Sequence, residues 1–188
     1  ESGVEVSVGV CEEDARCLIE PFVSWMVRRR PFVTLKLAVT LDGRMADAAG
    51  SSKWISGGAA REWVQGLRRK VDAVMVGAET VRRDDPSLLP RPAEGRSPWR
   101  IIMGEDIPDE ACVVSDEAAD RTLIRTGELG PVLASLAADY DVMHLLCEGG
   151  GGVAAQLLEA NLVDELVMIV APKILGADGR PCFNFVGR

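Results

Sequence analysis

The sequence predicts an α/β fold with a mostly parallel central sheet flanked by helices. Short apolar segments typical of buried strands alternate with amphipathic segments typical of helices along most of the 188 residues. Parallel strands need a crossover connection, and the spacing between successive strand candidates leaves room for one. A glycine run also follows one of the last strand candidates, which is a common place for a ligand-binding turn in an α/β sheet.

The first elements are a short strand and a helix. Val4 to Val10 has the composition of a strand, and Cys11 to Val27 has apolar residues at helical spacing. Pro21 lies inside this helix and is expected to break or kink it. Arg28 to Pro31 forms a charged boundary. Three arginines could touch nucleic acid, but in an acidic chain a solvated linker is the favoured interpretation.

The next strand carries a lysine in its middle. Val33, Leu35, Leu37 and Val39 alternate with more polar positions, the pattern of a strand with one apolar face. Lys36 is on the opposite face, so it is either solvated or directed at an anionic group. A turn at 41–44 and a glycine-rich bend before Ser51 follow this strand.

The remaining elements alternate between helix and strand. Ser56 is a candidate cap for a helix that runs to Lys70. Its predicted buried face consists of Ala60, Trp63, Val64, Leu67 and Val71. Further helices are predicted at 78–83, 131–138 and 152–160. Further strands are predicted at 71–77, 99–103, 122–125, 142–147 and 165–174.

Charge and composition exclude several classes of protein. Acidic residues outnumber basic ones by 29 to 21, which argues against non-specific nucleic-acid binding. No apolar run approaches the ~20 residues that span a bilayer, so no membrane partner is expected. The five cysteines have scattered spacing, and the first residues are polar and acidic rather than signal-like. We therefore expect reduced thiols and a cytoplasmic location.

Four successive glycines, Gly149 to Gly152, connect a buried strand to a helix. Such a run is either a flexible turn or a phosphate cradle, in which small residues let the backbone approach the ligand at a helix N-terminus. Because ordering four glycines is entropically unfavourable, the cradle is favoured. The run also fits G-x-G-x-x-A, but the acids that follow, Asp164 and Glu165, come too early for a Rossmann site.

Charged residues collect at other predicted strand ends. Glu148 ends the strand before the glycines, where ligands bind in open α/β sheets. Asp85 precedes a proline and could simply end a helix. Arg68 and Arg91 could bind a phosphate through two hydrogen bonds each, or could be ordinary surface charges.

Several blocks together resemble one family, the reductase domain of the bifunctional riboflavin-biosynthesis deaminase–reductase. These blocks are LKLAVTLDGRMA, SSKWIS, VGAETVRRDDPSLLPR, CEGGGGVAAQLLEANLVDEL and VAPKILG. The resemblance implies a dihydrofolate-reductase-like fold. It also implies NADPH-dependent reduction of 5-amino-6-(5-phosphoribosylamino)uracil to the ribitylamino product, by hydride transfer to sugar C1 reached as an imine.

The resemblance also assigns roles to individual residues. It places Lys36 and Glu148 at the reacting part of the phosphorylated pyrimidine substrate, as the catalytic pair. The implied substrate-binding residues are Ser52, Arg68, Leu88 and Arg91. The implied NADPH-binding residues are Ala38, Trp54, Thr80, Asp84, Thr126, Gly150, Gly151, Gly152, Val153, Ala154, Ala155 and Gln156. No metal site and no deaminase activity are expected, since the one histidine, His144, lies in an apolar strand as a core or near-core residue and Pro181-Cys182 has no second cysteine two residues on.

The resemblance further implies a domain organisation. Residues 1–30 resemble the tail and linker of a missing N-terminal zinc deaminase domain, and residues 31–188 resemble the reductase domain without its last strands. The segment at 127–130 is shorter than the family usually has. A homodimer is expected, with Trp63 and the apolar final strand as interface candidates. The competing functions are reduction of another small molecule such as a pterin, and a non-catalytic dimerisation domain.

Overall fold

The structure is a computed structural model that describes residues 3–51, 55–92 and 96–183. Within these ranges the α-helices are α1 (Glu12–Val23), α2 (Gly58–Arg68), α3 (Ala78–Asp84), α4 (Cys112–Ser115), α5 (Leu129–Tyr140) and α6 (Gly151–Glu159). The strands are β1 (Phe32–Thr40), β2 (Arg44–Ala46), β3 (Ala73–Gly77), β4 (Trp99–Met103), β5 (Thr122–Arg125), β6 (His144–Cys147), β7 (Glu165–Ala171) and β8 (Arg180–Pro181).

Six of the strands form one parallel sheet in the order β5-β4-β3-β6-β1-β7. The predicted α/β class with a mostly parallel sheet is therefore confirmed. β2 and β8 form a separate antiparallel pair. Two apolar clusters cover the faces of the sheet, one around α5 and α6 and the other beside α3 and α4. Both faces are covered because parallel connections place helices there.

The strand pattern predicted around Lys36 is confirmed in β1. Val33, Leu35, Leu37 and Val39 are buried with at most 1% exposure. The opposite face is less uniform, since Thr34 is also buried while Lys36 keeps 15% of its side chain exposed. Lys36 therefore lies neither in the core nor in open solvent.

The N-terminal expectations need correction. Val4 to Val10 is not a strand: its backbone pairs with no strand in the described part of the chain, and its side chains are exposed. The helix continues through Pro21 and changes to a π-helical turn at Ser24–Arg28. A proline lacks only one backbone hydrogen bond, which adjacent helical turns can tolerate.

The α2 helix also differs from its prediction. It begins at Gly58 after an N-cap at Gly57, and Ser56 contributes no side-chain cap. Val64 is buried as predicted, but Trp63 is 51% exposed. The sequence pattern therefore predicts a wider buried face than α2 has in the structure. Among the described residues, no helix is long and apolar enough to cross a membrane.

Candidate active site

A cleft of about 670 Å³ opens at the carboxyl ends of β1, β3, β4 and β6. Its walls are the turns that follow these strands and the β2 segment. Parallel strands place their carboxyl ends at one edge of the sheet, where loops can converge on a ligand. The volume is within the range of small-molecule and cofactor sites.

The charged centre of the cleft consists of Lys36, Glu148 and Arg68. The β1–β6 register pairs Leu35 with Cys147, so the next residues, Lys36 and Glu148, are neighbours across the two strands. Lys36 Nζ lies 3.8 Å from Glu148 Oε2, and Arg68 Nε donates to Glu148 Oε1 at 2.6 Å. All three side chains are at most 15% exposed. One carboxylate thus lies between two cations in a poorly hydrated position.

Burial lowers the pKa of the Lys36 ammonium from its usual 10.5, and the nearby Arg68 lowers it further. The Glu148 carboxylate opposes this effect by favouring the charged form. A lysine with a lowered pKa can stabilise developing negative charge and can exchange a proton more readily than a surface lysine. The geometry therefore provides a cation and a carboxylate side by side.

The glycine run forms the floor of the cleft beside this centre. Glu148 N donates to Met75 O on β3, which holds the start of the run against the sheet. A Cβ on Gly149 would lie 3.1 Å from Val153 Cβ and 3.3 Å from Cys147 Sγ, so this position is crowded. Gly150 is the N-cap of α6, and Gly151 and Gly152 form its first turn. The backbone N–H groups of such a turn can hold a ligand phosphate.

The start of α6 faces a hydroxyl group across the cleft. A Cβ on Gly150 would lie 3.6 Å from Thr80 Oγ1, so the glycine and the hydroxyl face each other across a narrow gap. Among the described residues, no atom lies within 4 Å of a Cβ placed on Gly152. The backbone here is accessible, and a neighbouring hydroxyl can donate to an anion.

The structure brings most of the predicted site residues to one cleft. Those that line it are Lys36, Ala38, Arg68, Thr80, Asp84, Leu88, Glu148, Gly150, Gly151, Gly152, Val153 and Gln156. These residues come from four separate parts of the sequence, and their roles remain predictions.

Other predicted residues lie elsewhere. Ala154 and Ala155 are buried inside α6, behind the cleft lining. Arg91 is exposed, its backbone N–H bonded to Gln65, and Thr126 is exposed beyond the end of β5; neither lines the cleft. Ser52 and Trp54 are outside the described residues.

The cleft also contains residues to which the sequence assigned no individual role. Met45 approaches from β2, and Gly104 follows β4 with a φ of +121°. The arginines Arg82, Arg83 and Arg180 line its mouth. Gly104 could have been recognised as a glycine at a strand end, but Arg180 is distant in sequence and only the fold brings it near. Within the described residues, no group of histidine, cysteine or carboxylate side chains could hold a metal ion.

His144 does not belong to this cleft. It lies at the start of β6, where its Nε2 is 2.8 Å from Thr34 Oγ1 and its ring packs edge-on against Phe32. Burial lowers its pKa, although Glu165 opposes this. The residue is a hydrogen-bonded side chain at the opposite end of β6 from Glu148.

Comparison with known proteins gives a consistent result. The RibD C-terminal domain family matches residues 31–187. The riboflavin biosynthesis protein RibD of Aquifex aeolicus is 38% identical over 200 residues, covering 93% of this chain and 56% of that protein. The chain therefore spans about half the length of the curated relatives it matches.

Solved structures agree with this comparison. Acinetobacter baumannii RibD superposes with a TM-score of 0.88 at 31% identity, covering 99% of this chain and 58% of that one. A Thermotoga maritima protein described as a diaminohydroxyphosphoribosylaminopyrimidine deaminase/5-amino-6-(5-phosphoribosylamino)uracil reductase gives 0.83 at 33% identity, covering 96% and 56%. These similarities confirm the predicted dihydrofolate-reductase-like fold class. The chain belongs to the family of RibD C-terminal reductase domains.

Proposed function

We propose that this chain reduces 5-amino-6-(5-phosphoribosylamino)uracil to its ribitylamino product with NADPH. The observation that carries the proposal is the Lys36–Glu148–Arg68 cluster, which lies in the same cleft as the glycine run. A reductase of this kind must hold a phosphorylated substrate beside a dinucleotide, and proximity supplies much of its rate enhancement. The substrate named for the Thermotoga maritima relative supports this choice.

NADPH would bind with its phosphates near Gly150 and Gly152 and with Thr80, Asp84 and Ala38 along the cleft wall. It supplies the hydride that reduces the substrate. On the substrate, the ribose opens when the exocyclic amine proton moves to the ring oxygen, which leaves a C=N bond. Reduction would then add a hydride to sugar C1 and a proton to the nitrogen. Both additions together turn the imine into a secondary amine.

The protein's own residues assist the proton movements. The Lys36 ammonium can hydrogen-bond an oxygen of the opening ribose, and Glu148 can accept the amine proton and pass it to the ring oxygen, while the proton that joins the nitrogen during reduction is drawn from solvent. Arg68 holds Glu148 in place through Nε, while its Nη1 donates to Leu89 O at 3.3 Å. Its Nη2 has no hydrogen-bond partner within the described ranges, so it is available to the substrate phosphate.

We also infer the domain organisation and partners from the resemblance. Residues 31–188 are the reductase domain, and residues 1–30 are the tail and linker of an N-terminal deaminase domain. Support comes from α1, where Leu18 is 83% exposed and Phe22 is 52% exposed although both are apolar. A homodimer is supported by β7, an edge strand with Met168 and Val170 exposed. All five cysteines are unpaired, which agrees with a cytoplasmic location.

The proposal is tested by following NADPH absorbance with and without the deaminated pyrimidine substrate. We expect substrate-dependent oxidation, and we expect Lys36→Ala to abolish it while the circular dichroism spectrum stays unchanged. Lys70→Ala removes an exposed lysine at the end of α2 and serves as the matched control. Intact NADPH binding without turnover would instead favour another small-molecule substrate. Absence of dinucleotide binding would favour a non-catalytic dimerisation domain.

A further inference from the structure

Two arginines from distant parts of the sequence meet at the mouth of the cleft. Arg83 is in the last turn of α3, and Arg180 begins β8. Arg83 Nη1 donates to Gly50 O at 3.4 Å, and a Cβ on Gly50 would clash with this same nitrogen. That Cβ would also lie 2.9 Å from Arg180 Cζ and 3.0 Å from Arg180 Nη2. The two guanidinium groups are therefore close neighbours above Gly50.

Gly50 is a glycine for two reasons. Its φ is +83°, a conformation that favours glycine, and any side chain there would enter the space that the two arginines share. The absence of a side chain at Gly50 therefore leaves the space in which the two arginines approach each other. Like charges repel, and such an arrangement is most stable when an anion lies between them.

The surrounding charges do not fully neutralise this pair. Glu79 binds Arg83 at 2.7 Å, but both side chains are largely exposed, at 65% and 41%. In the described part of the chain, no carboxylate lies within ion-pair distance of Arg180. The neighbouring Arg82 is already engaged, because its Nη1 donates to the carbonyl oxygens of Glu105 and Asp106. Arg180 therefore has no carboxylate partner in the described part of the chain, and Arg83, whose Nη1 and Nη2 contact Gly50 O and the exposed Glu79, is only partly neutralised.

The pair is on the same side of the cleft as the glycine run. The segment after Arg180 runs beside the first turn of α6, since a Cβ on Gly151 would lie 3.6 Å from Cys182 O. The β2–β8 pairing of Ala46 with Arg180 fixes the start of this segment. An anion held by the arginines would thus be near the phosphate cradle at the start of α6.

We propose that Arg83 and Arg180 form a phosphate-binding arginine pair for a phosphate ester bound in the cleft. The planar guanidinium group suits this ligand because it can donate two parallel hydrogen bonds to phosphate oxygens. The phosphate is either one of the cofactor phosphates or the 5′-phosphate of the substrate. This inference rests on the proposed function for the identity of the ligand, whereas the anion site itself rests on the two arginines.

The experiment compares wild-type protein with Arg83→Gln, Arg180→Gln and the double variant. Arg16→Gln removes an exposed arginine from α1, remote from the cleft, and serves as the charge-matched control. Calorimetric titration with inorganic pyrophosphate at low salt is the first measurement. We expect the double variant to bind at least tenfold more weakly than wild type, the single variants to be intermediate and the control to be unchanged.

Titrations with NADPH and NADH and the KM for the pyrimidine substrate identify the source of the phosphate. If the double variant loses affinity for NADPH alone, the pair holds the 2′-phosphate and selects NADPH. Equal losses for both dinucleotides assign the pair to the pyrophosphate, and a raised substrate KM alone assigns it to the substrate phosphate. Arg83→Lys should retain only part of the affinity for pyrophosphate, because lysine keeps the positive charge but lacks the planar guanidinium group that donates two parallel hydrogen bonds.

The proposal is overturned if the double variant binds pyrophosphate, both dinucleotides and substrate as tightly as wild type does. It is also overturned if Arg16→Gln weakens binding equally, since the effect would then be one of net charge. If wild type binds pyrophosphate through the pair but no dinucleotide, the arginine site stands and the proposed cofactor fails. The two hypotheses therefore fail through different measurements.

Discussion

The Nε atom of Arg68 lies 2.6 Å from Oε1 of Glu148, a contact between the end of α2 and the end of β6. Both side chains are nearly buried, at 11% and 9% exposure. Charge-assisted hydrogen bonds in such surroundings are strong and directional. An arginine that resemblance assigns to the substrate phosphate therefore also orients the carboxylate assigned to catalysis.

Arg68→Lys should lower kcat/KM by tenfold or more. Lysine keeps the positive charge but has no planar group that can bond Glu148 and a second acceptor together. A tenfold loss corresponds to about 1.4 kcal/mol of transition-state stabilisation. Steady-state kinetics measures the effect, and Arg69→Lys, at the exposed neighbouring position, should stay within twofold of wild type. Equal behaviour of the two variants would contradict an orienting role for Arg68.

The pH profile of turnover should reflect the environment of Lys36. Burial lowers its pKa below 10.5, so a reaction that needs the ammonium form declines with rising pH before 10.5 is reached. The alkaline limb of kcat measures this. Glu148→Gln removes the charge that favours the ammonium, so Lys36 should react with an amine-labelling reagent at lower pH than in wild type. Unchanged labelling in that variant would show that the two groups are not coupled.

Gly152→Asp should weaken dinucleotide binding by at least tenfold without unfolding the protein. The position is open, since a Cβ there meets no atom of the described residues within 4 Å, but a carboxylate at the first turn of α6 would repel ligand phosphates. Gly130→Asp is the control, because Gly130 has the same place in α5 and is equally open. Fluorescence titration and thermal unfolding give the two readouts. A similar affinity in both variants would argue against a phosphate site at α6.

Arg100→Met should reduce the free energy of unfolding by about 1–3 kcal/mol, because it removes the donor of several partly buried hydrogen bonds and leaves the partly exposed Asp116 without its partner. Arg100 is 0% exposed and donates to both carboxylate oxygens of Asp116, at 2.7 and 2.8 Å. It also donates to Ser87 O, beside Leu88 of the cleft. Urea unfolding measures the loss, and Arg96→Met, at an exposed position, should change stability by well under 1 kcal/mol. A loss of similar size in Arg96→Met would refute the assignment to the buried pair.

Several features of the fold could be predicted from the sequence because they depend on local patterns. The alternation in β1, the boundaries of β4 and β5 and the helical spacing of α5 and α6 follow from which residues must be buried. The segment Val4 to Val10 has the same strand-like alternation, but no strand among the described residues pairs with it. A strand is stable only with a partner, and the local pattern does not contain one.

By itself, the sequence determined the α/β class and the residue types that could carry the chemistry, including Lys36, Glu148 and the four glycines. Tertiary structure decided which of these residues meet. The β1–β6 register sets Lys36 beside Glu148, and the packing of α2 brings Arg68 to the same carboxylate. The approach of Arg83 and Arg180 above Gly50 likewise depends on the fold, because the two residues are about a hundred positions apart in the sequence. The physical reason is that propensity and periodicity act over a few residues, whereas distances between charges follow from strand order and helix packing across the whole sheet.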